Sequence, residues 1–238
     1  MIKAVTLDLW GTLFDMTPAL SDVRLELLAS RVPMRSRSDL LRAYDRGWEA
    51  FLAGLAYGYG LTASTFLATV LDDLAVSLTP PQFKRLLVSW QESIVSSPPP
   101  LLEGVADVLA ILRKQGFFVG LVSDTAISPG WAVRRALADM GLLSMFDWLT
   151  FSDEVGVTKR RAAGFLLTLN AFGVCPEEGV HVGDMCDTDI RGAKAVGMKA
   201  ILVLENTHDR SGASEADAVI DQIADLPAAL SEITGSPG

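Results

Sequence analysis

Carboxylate, hydroxyl and ammonium side chains recur at one kind of place in this sequence, directly after short apolar runs. Ile2–Leu7 stops at Asp8-Leu9-Trp10-Gly11-Thr12-Leu13, and Phe117–Val122 stops at Ser123-Asp124-Thr125. A third loop holds Lys159, and Val180-His181-Val182 stops at Gly183-Asp184, with Asp187 and Asp189 just beyond. A carboxylate can act as a nucleophile, forming an ester or acyl-phosphate intermediate. Clustered carboxylates repel one another unless a cation sits among them, and hard oxygen ligands suit magnesium. A serine or threonine hydroxyl can bind the oxygens of a transferring phosphoryl group. A fixed lysine stabilises charge on nucleophile and phosphoryl oxygens alike. Gly11 lets the chain turn sharply against a bound anion.

These residues share a rim only if the apolar runs are parallel strands. Ile2–Leu7, Phe117–Val122, Gly179–Val182 and Ala200–Leu204 are short and rich in β-branched residues, with Trp148–Phe151 a fifth strand and Ala218–Ile220 an edge element. Helical periodicity follows them at Val105–Gln115, Trp131–Met140, Arg161–Phe172, Asp189–Ala195 and Leu226–Ile233. Short buried runs alternating with amphipathic helices predict an α/β fold, a Rossmann-like parallel sheet with helices on both faces. In such a sheet ligands collect beyond the carboxyl ends of the strands, where the reactive residues fall. One region breaks the alternation. Leu20–Ser30, Asp39–Leu52, Ser64–Leu74 and Pro80–Ser93 all read as helices, bounded by Thr17-Pro18 and by Ser96-Ser97-Pro98-Pro99-Pro100. Residues 1–14 and 99–238 are thus expected to form a catalytic core, and 15–98 an inserted all-helical domain.

Half of the 238 residues are apolar, enough for a large core plus a smaller appended unit. The formal charge of −9 repels phosphate backbones, which excludes nucleic acid as the expected partner and leaves a small anionic molecule in a locally basic pocket. Two cysteines, Cys175 and Cys186, suit neither a disulfide framework nor a zinc site. With no secretory signal read at the start, the expectation is a cytoplasmic protein. Ala50–Leu71 carries no charge and is long enough to span a bilayer. Its glycines, hydroxyls and tyrosines predict instead two helices joined by a turn at Tyr57-Gly58-Tyr59-Gly60, so no membrane span is expected. The chain is expected to act as a monomer or homodimer.

Four motifs together carry a resemblance to a family. Asp8-x-x-Gly11-Thr12-Leu13, Val122-Ser123-Asp124-Thr125, Val155-Gly156-Val157-Thr158-Lys159 and His181-Val182-Gly183-Asp184-x-x-x-x-Asp189 resemble, in order, the four motifs of the haloacid dehalogenase superfamily. The resemblance implies that Asp8 attacks phosphorus or carbon, that Ser123 and Lys159 hold the anionic group, and that Thr12 supports the nucleophile loop. It further implies a Mg2+ ion held by Asp8, Asp184 and the backbone carbonyl of Trp10, with Asp189 as ligand or outer acceptor. The helical insert resembles the family's C1-type cap, which closes over the site and selects substrate.

Two departures stand out. Phosphatases of the superfamily carry an acid–base aspartate where this chain has Trp10, and Arg160 follows Lys159 where proline is common. An indole cannot shuttle a proton, so that part of the mechanism is absent or has moved. Such a phosphatase either favours good leaving groups, turning over alkyl phosphates slowly, or recruits a donor from Asp15, Asp124 or the cap. Dehalogenases of the superfamily carry an aromatic residue at this position, but need no metal and lack the acidic pair kept here as Asp184 and Asp189. The favoured expectation is a magnesium-dependent phosphatase acting on a small phosphorylated metabolite through an aspartyl-phosphate. The alternatives are a 2-haloacid dehalogenase with an Asp8 ester, or a catalytically weakened member acting through its cap. Asp124 and Asp187 read as solvated, His181 as a strand residue, Trp48 as cap core, and Arg42 as a surface residue despite a dehalogenase-like spacing.

Overall fold

The computed structural model describes residues 1–16, 19–32, 34–207 and 209–234. Strands β1 (Ala4–Leu7), β2 (Phe118–Ser123), β3 (Trp148–Phe151), β4 (Gly179–Gly183), β5 (Lys199–Val203) and β6 (Ala218–Ile220) form one parallel sheet in the order β3-β2-β1-β4-β5-β6. The chain grows outward from β1 first to one side and then to the other, which opens a crevice where the direction reverses. Register makes that crevice chemical. Leu7 pairs with Leu121 on one side and Val182 on the other, so Asp8, Ser123 and Asp184 leave the sheet at the same rim.

The helices are α1 (Ala19–Ala29), α2 (Arg37–Ala56), α3 (Ala63–Asp73), α4 (Pro80–Ser96), α5 (Val105–Lys114), α6 (Gly130–Asp139), α7 (Ser152–Val155), α8 (Ala163–Phe172), α9 (Arg191–Ala195) and α10 (Leu226–Thr234). Alternate strand residues face opposite sides. Val5, Leu7, Val119, Leu121, Val180 and Val182 pack with residues of α5, α6 and α10. Ala4, Val122, Ala200 and Leu202 pack with residues of α8 and α9. Burial on both faces is why the strands read as continuous apolar runs rather than as alternating ones.

Helices α1–α4 pack into a helical unit around Leu28, Tyr44, Phe66 and Trp90, a cluster that Ala126 and Ile127 of the loop after β2 also join. Ser36 and Asp39 close a reciprocal hydrogen-bonded box at the start of α2, and Thr62 caps α3. Helices α2 and α3 approach closely because position 47 is glycine; a Cβ there would lie 2.6 Å from the Phe66 ring. The uncharged Ala50–Leu71 segment is the end of α2, the predicted turn and α3. Phe51, Leu55, Phe66, Leu67, Val70 and Leu71 are buried, so the apolar residues of its helices serve the packing of this unit. Among the described residues no helix is long and apolar enough to cross a membrane.

Local differences from expectation cluster near the rim. The helix expected over Asp189–Ala195 divides into a π-helical turn, Cys186–Ile190, followed by α9, which carries Asp189 inward rather than onto a helix start. The chain after Lys159 enters α8 only at Ala163. The boundary read at Thr17-Pro18 lies outside the described residues.

Candidate active site

Past Leu7 the chain reverses tightly. Leu13 and Phe14 N–H both donate to the Leu9 carbonyl, and Gly11 N–H to Phe14. This loop has two reasons to contain glycine at position 11: its φ is +78°, and a Cβ would stand 2.5 Å from Asp184 Oδ2. The bridge between Trp10 and Phe14 uses the Leu9 carbonyl and Gly11 N–H, leaving the Trp10 carbonyl outside it. The indole meets the Phe14 ring edge-on at 5.9 Å and lines the cavity described below.

Lys159 organises the buried centre. Its ammonium lies 2.5 Å from Asp8 Oδ1 and 2.5 Å from Asp189 Oδ1, and the side chain is 4% exposed. Its main-chain N–H donates to Asp124 Oδ1 at 3.0 Å, tying the loop to the end of β2. Asp189 is fully engaged: Oδ1 also faces His181 Nε2 at 3.0 Å, and Oδ2 accepts from Met185 N–H at 2.9 Å. Thr6 Oγ1 sits 2.9 Å from His181 Nδ1, so the imidazole is held from both ends. That pattern assigns the Nε2 proton toward Asp189 and the Nδ1 lone pair toward Thr6.

Electrostatics follow from four carboxylates around one ammonium. Burial pushes the Asp8 carboxyl well above the usual range, Lys159 opposes this, and Asp189 and Asp184 add to it. Burial and then Asp189 push Asp184 up to about 7. Burial raises Asp124 to about 6 against the pull of Lys159. Burial also works against ionised Asp189, but Lys159 and His181 outweigh it and hold its carboxyl below the usual range. For Lys159 burial disfavours the ammonium, yet Asp189, Asp8 and Asp124 together raise its pKa.

Oxygens of Asp8, Asp184 and Asp189 all lie within 4.8 Å of one another. Asp184 Oδ1 is buried without a hydrogen-bond partner, and so are the Ser123, Thr12 and Thr158 hydroxyls and Asp124 Oδ2. Buried polar atoms are rarely left so. An oxygen-rich, electron-rich donor set with an orphaned carboxylate oxygen fits a hard divalent cation. The orphaned hydroxyls are donors suited to an anion's oxygens.

Asp8, Asp124, Lys159 and Asp184 line a cavity of about 430 Å³ between the sheet rim and the helical unit. The rest of the lining is largely apolar, with Leu20, Tyr44, Trp48, Phe51, Leu55 and Ile127, and it also contains Arg24.

The expected site residues Asp8, Lys159, Asp184 and Asp189 therefore come together. Ser123 and Thr12 are buried at the same rim, and Asp15 lines the cavity. Asp187 is exposed and pairs with Arg191 and Arg160, as a solvated residue would. Arg42 is on the surface, paired with Asp39. Trp48 packs edge-on against Phe51 and Phe66, yet one side of it faces the cavity. Asp124 corrects its reading as solvated, being half-buried and bonded to the Lys159 main chain. His181, read without chemistry, positions Asp189, and its signal was a polar residue in an otherwise apolar strand. Arg24 carries no signal in the sequence, because nothing in a helical pattern marks which arginine turns inward.

Against this geometry, the sequence profile of the haloacid dehalogenase-like hydrolases matches residues 2–197. The chain belongs to this family of hydrolases. Among curated relatives of the hydrolase, the glyceraldehyde 3-phosphate phosphatase of Methanopyrus kandleri is 26% identical over 235 residues, covering 98% of this chain and 97% of its own length. The crystal structure of a HAD phosphatase from Thermococcus onnurineus superposes with a TM-score of 0.65 at 28% identity, covering 99% of both chains. A 2-haloacid dehalogenase from Pseudomonas syringae gives a TM-score of 0.72 at 23% identity over 98% of this chain and 100% of its own, a likeness of fold alone.

Proposed function

We propose that the hydrolase is a magnesium-dependent phosphatase that acts on a small phosphorylated metabolite through an aspartyl-phosphate at Asp8. The observation carrying this reading is the buried group of Asp8, Asp184, Asp189 and Lys159, whose surplus negative charge calls for a cation. Asp8, Asp184 and the Trp10 carbonyl would hold Mg2+, which supplies charge neutralisation for phosphoryl oxygens and nucleophile. Asp189, saturated by Lys159, His181 and Met185, is better suited to fixing Lys159 than to direct ligation, although its oxygens lie within the same group. Lys159 and the Ser123 hydroxyl bind phosphoryl oxygens, and Thr12 supports the nucleophile loop. An Asp8 oxygen forms the bond to phosphorus as the ester oxygen departs, and water then cleaves the acyl-phosphate to return the carboxylate and release phosphate. Trp10 cannot handle the proton. Asp124, with a carboxyl near 6 and an unpartnered Oδ2 at the cavity, is the proposed donor and acceptor.

We further propose that residues 15–98 act as a cap over this site and that the protein works in the cytoplasm without nucleic acid. The aromatic Trp10 favours one rival, a metal-independent dehalogenase using the same Asp8. Purified protein given p-nitrophenyl phosphate with magnesium should release phosphate. EDTA should stop it, and Asp8→Asn should reduce it by roughly 10³-fold or more. Chloride release from 2-chloropropionate that persists in EDTA would instead establish the rival.

A further inference from the structure

Arg24 presents an unusual energetic situation. Its side chain comes from α1 and is only 3% exposed. Among the described residues no carboxylate pairs with it; its partners are two neutral hydroxyls, with Nε donating to Ser93 Oγ at 3.0 Å and Nη2 to Ser128 Oγ at 2.6 Å. The phenol of Tyr44 is beside it and also lines the cavity. A buried guanidinium without an anion carries a desolvation cost that Coulomb attraction does not offset. The fold nevertheless holds it firmly. Trp90, fully buried, donates from Nε1 to the Arg24 carbonyl at 3.1 Å, and Ser93, bonded to Nε, belongs to the same helix, α4. Arg24 lines the same cavity as Asp8 and Lys159, a cavity whose lining is otherwise largely apolar.

We propose that Arg24 is a substrate-binding residue, and that the substrate is a phosphate monoester whose leaving group carries a carboxylate on an apolar frame. This deepens the phosphatase reading and rests on it for the phosphate. One buried cation matches one negative charge, and the guanidinium fork matches a carboxylate. The apolar wall gives the frame between the two anions a place to be buried. Arg24 therefore selects the substrate by charge, within the cavity that holds the chemistry.

The test compares phenyl phosphate with 4-carboxyphenyl phosphate, magnesium present. Wild-type kcat/KM should favour the carboxylated ester by about tenfold or more, the magnitude of a buried charged hydrogen bond. The ratio should fall toward one in Arg24→Met and take an intermediate value in Arg24→Lys, which keeps the charge and loses the fork. Equal kcat/KM for the two esters in wild type, or an undiminished preference in Arg24→Met, overturns the inference and leaves the phosphatase reading standing. Neither ester being hydrolysed counts against the phosphatase reading, and the inference is then decided by binding. Benzoate should raise the Tm of wild type where benzamide does not, and Arg24→Met should abolish the difference. Equal effects of benzoate and benzamide on wild type overturn it without requiring any variant to fold.

Discussion

Asp184 ties stability to pH through its environment. In the metal-free protein its carboxyl is raised from 3.8 to about 7, by burial first and then by Asp189. A carboxyl raised on folding binds its proton more tightly in the native state. Its contribution is therefore complete below about 3.8 and is lost as pH rises through about 7. In EDTA, thermal unfolding of wild type relative to Asp184→Asn should show a loss of stability between pH 4 and 7 on the order of a few kcal/mol. Magnesium should restore more of it at neutral than at acid pH. A difference that stays flat across this window would contradict the burial and charge described for Asp184. Asp124 allows a kinetic counterpart. Asp124→Asn should slow turnover of alkyl phosphates by about 10²–10⁴-fold and that of p-nitrophenyl phosphate far less, because p-nitrophenolate leaves without a proton. Equal losses on both substrates would assign Asp124 to fixing the Lys159 loop rather than to proton transfer.

Between elements, the α2–α3 turn and the Lys159 loop touch. Arg161 donates from Nη2 to the Tyr57 carbonyl at 3.2 Å and lies over the Tyr59 ring at 5.2 Å, while Thr158 N–H donates to the Gly58 carbonyl at 3.4 Å. Gly58 has φ +80°, and a Cβ there would meet the Arg161 side chain at 2.6 Å. The turn is thus shaped to receive the arginine. Arg161→Ala should speed amide exchange at residues 57–60, measured by mass spectrometry, while global stability changes by about 1 kcal/mol or less, because the contact is exposed. Unchanged exchange in that turn would mean that Thr158 and packing hold it alone.

At the scale of the molecule, α1–α4 share one apolar cluster with Ala126 and Ile127, and the sheet has two others, one of which takes in Leu20 of α1 and Ile94 of α4. Trp90 is fully buried in the former, edge-on to Tyr44 and Phe66. Trp90→Ala should cost about 3–5 kcal/mol, concentrated in α1–α4. Amides of those helices should then exchange faster while those of β1, β2 and β4 keep their protection. Uniform loosening of sheet and helices would indicate one cooperative unit. Because Trp90 and Ser93 anchor Arg24, the same variant should also blunt any preference for a carboxylated substrate.

Composition and spacing alone determined the parallel α/β sheet, the helical insert and the rim carrying Asp8, Ser123, Lys159 and Asp184. Strand-end chemistry is legible because each strand is a short local signal and the parallel register aligns the ends. The sequence could not reveal how Asp189 turns inward, since the π-helical turn at Cys186–Ile190 arises from the contacts it makes with His181, Lys159 and Met185. Nor could it distinguish Asp124 from a solvated acid, or Arg24 from the exposed Arg42. Whether a charged side chain faces water or a cavity depends on which helix packs against it, and that is a property of long-range packing. Only the tertiary structure brings α1, α4 and the Ala126–Ser128 loop together around one guanidinium.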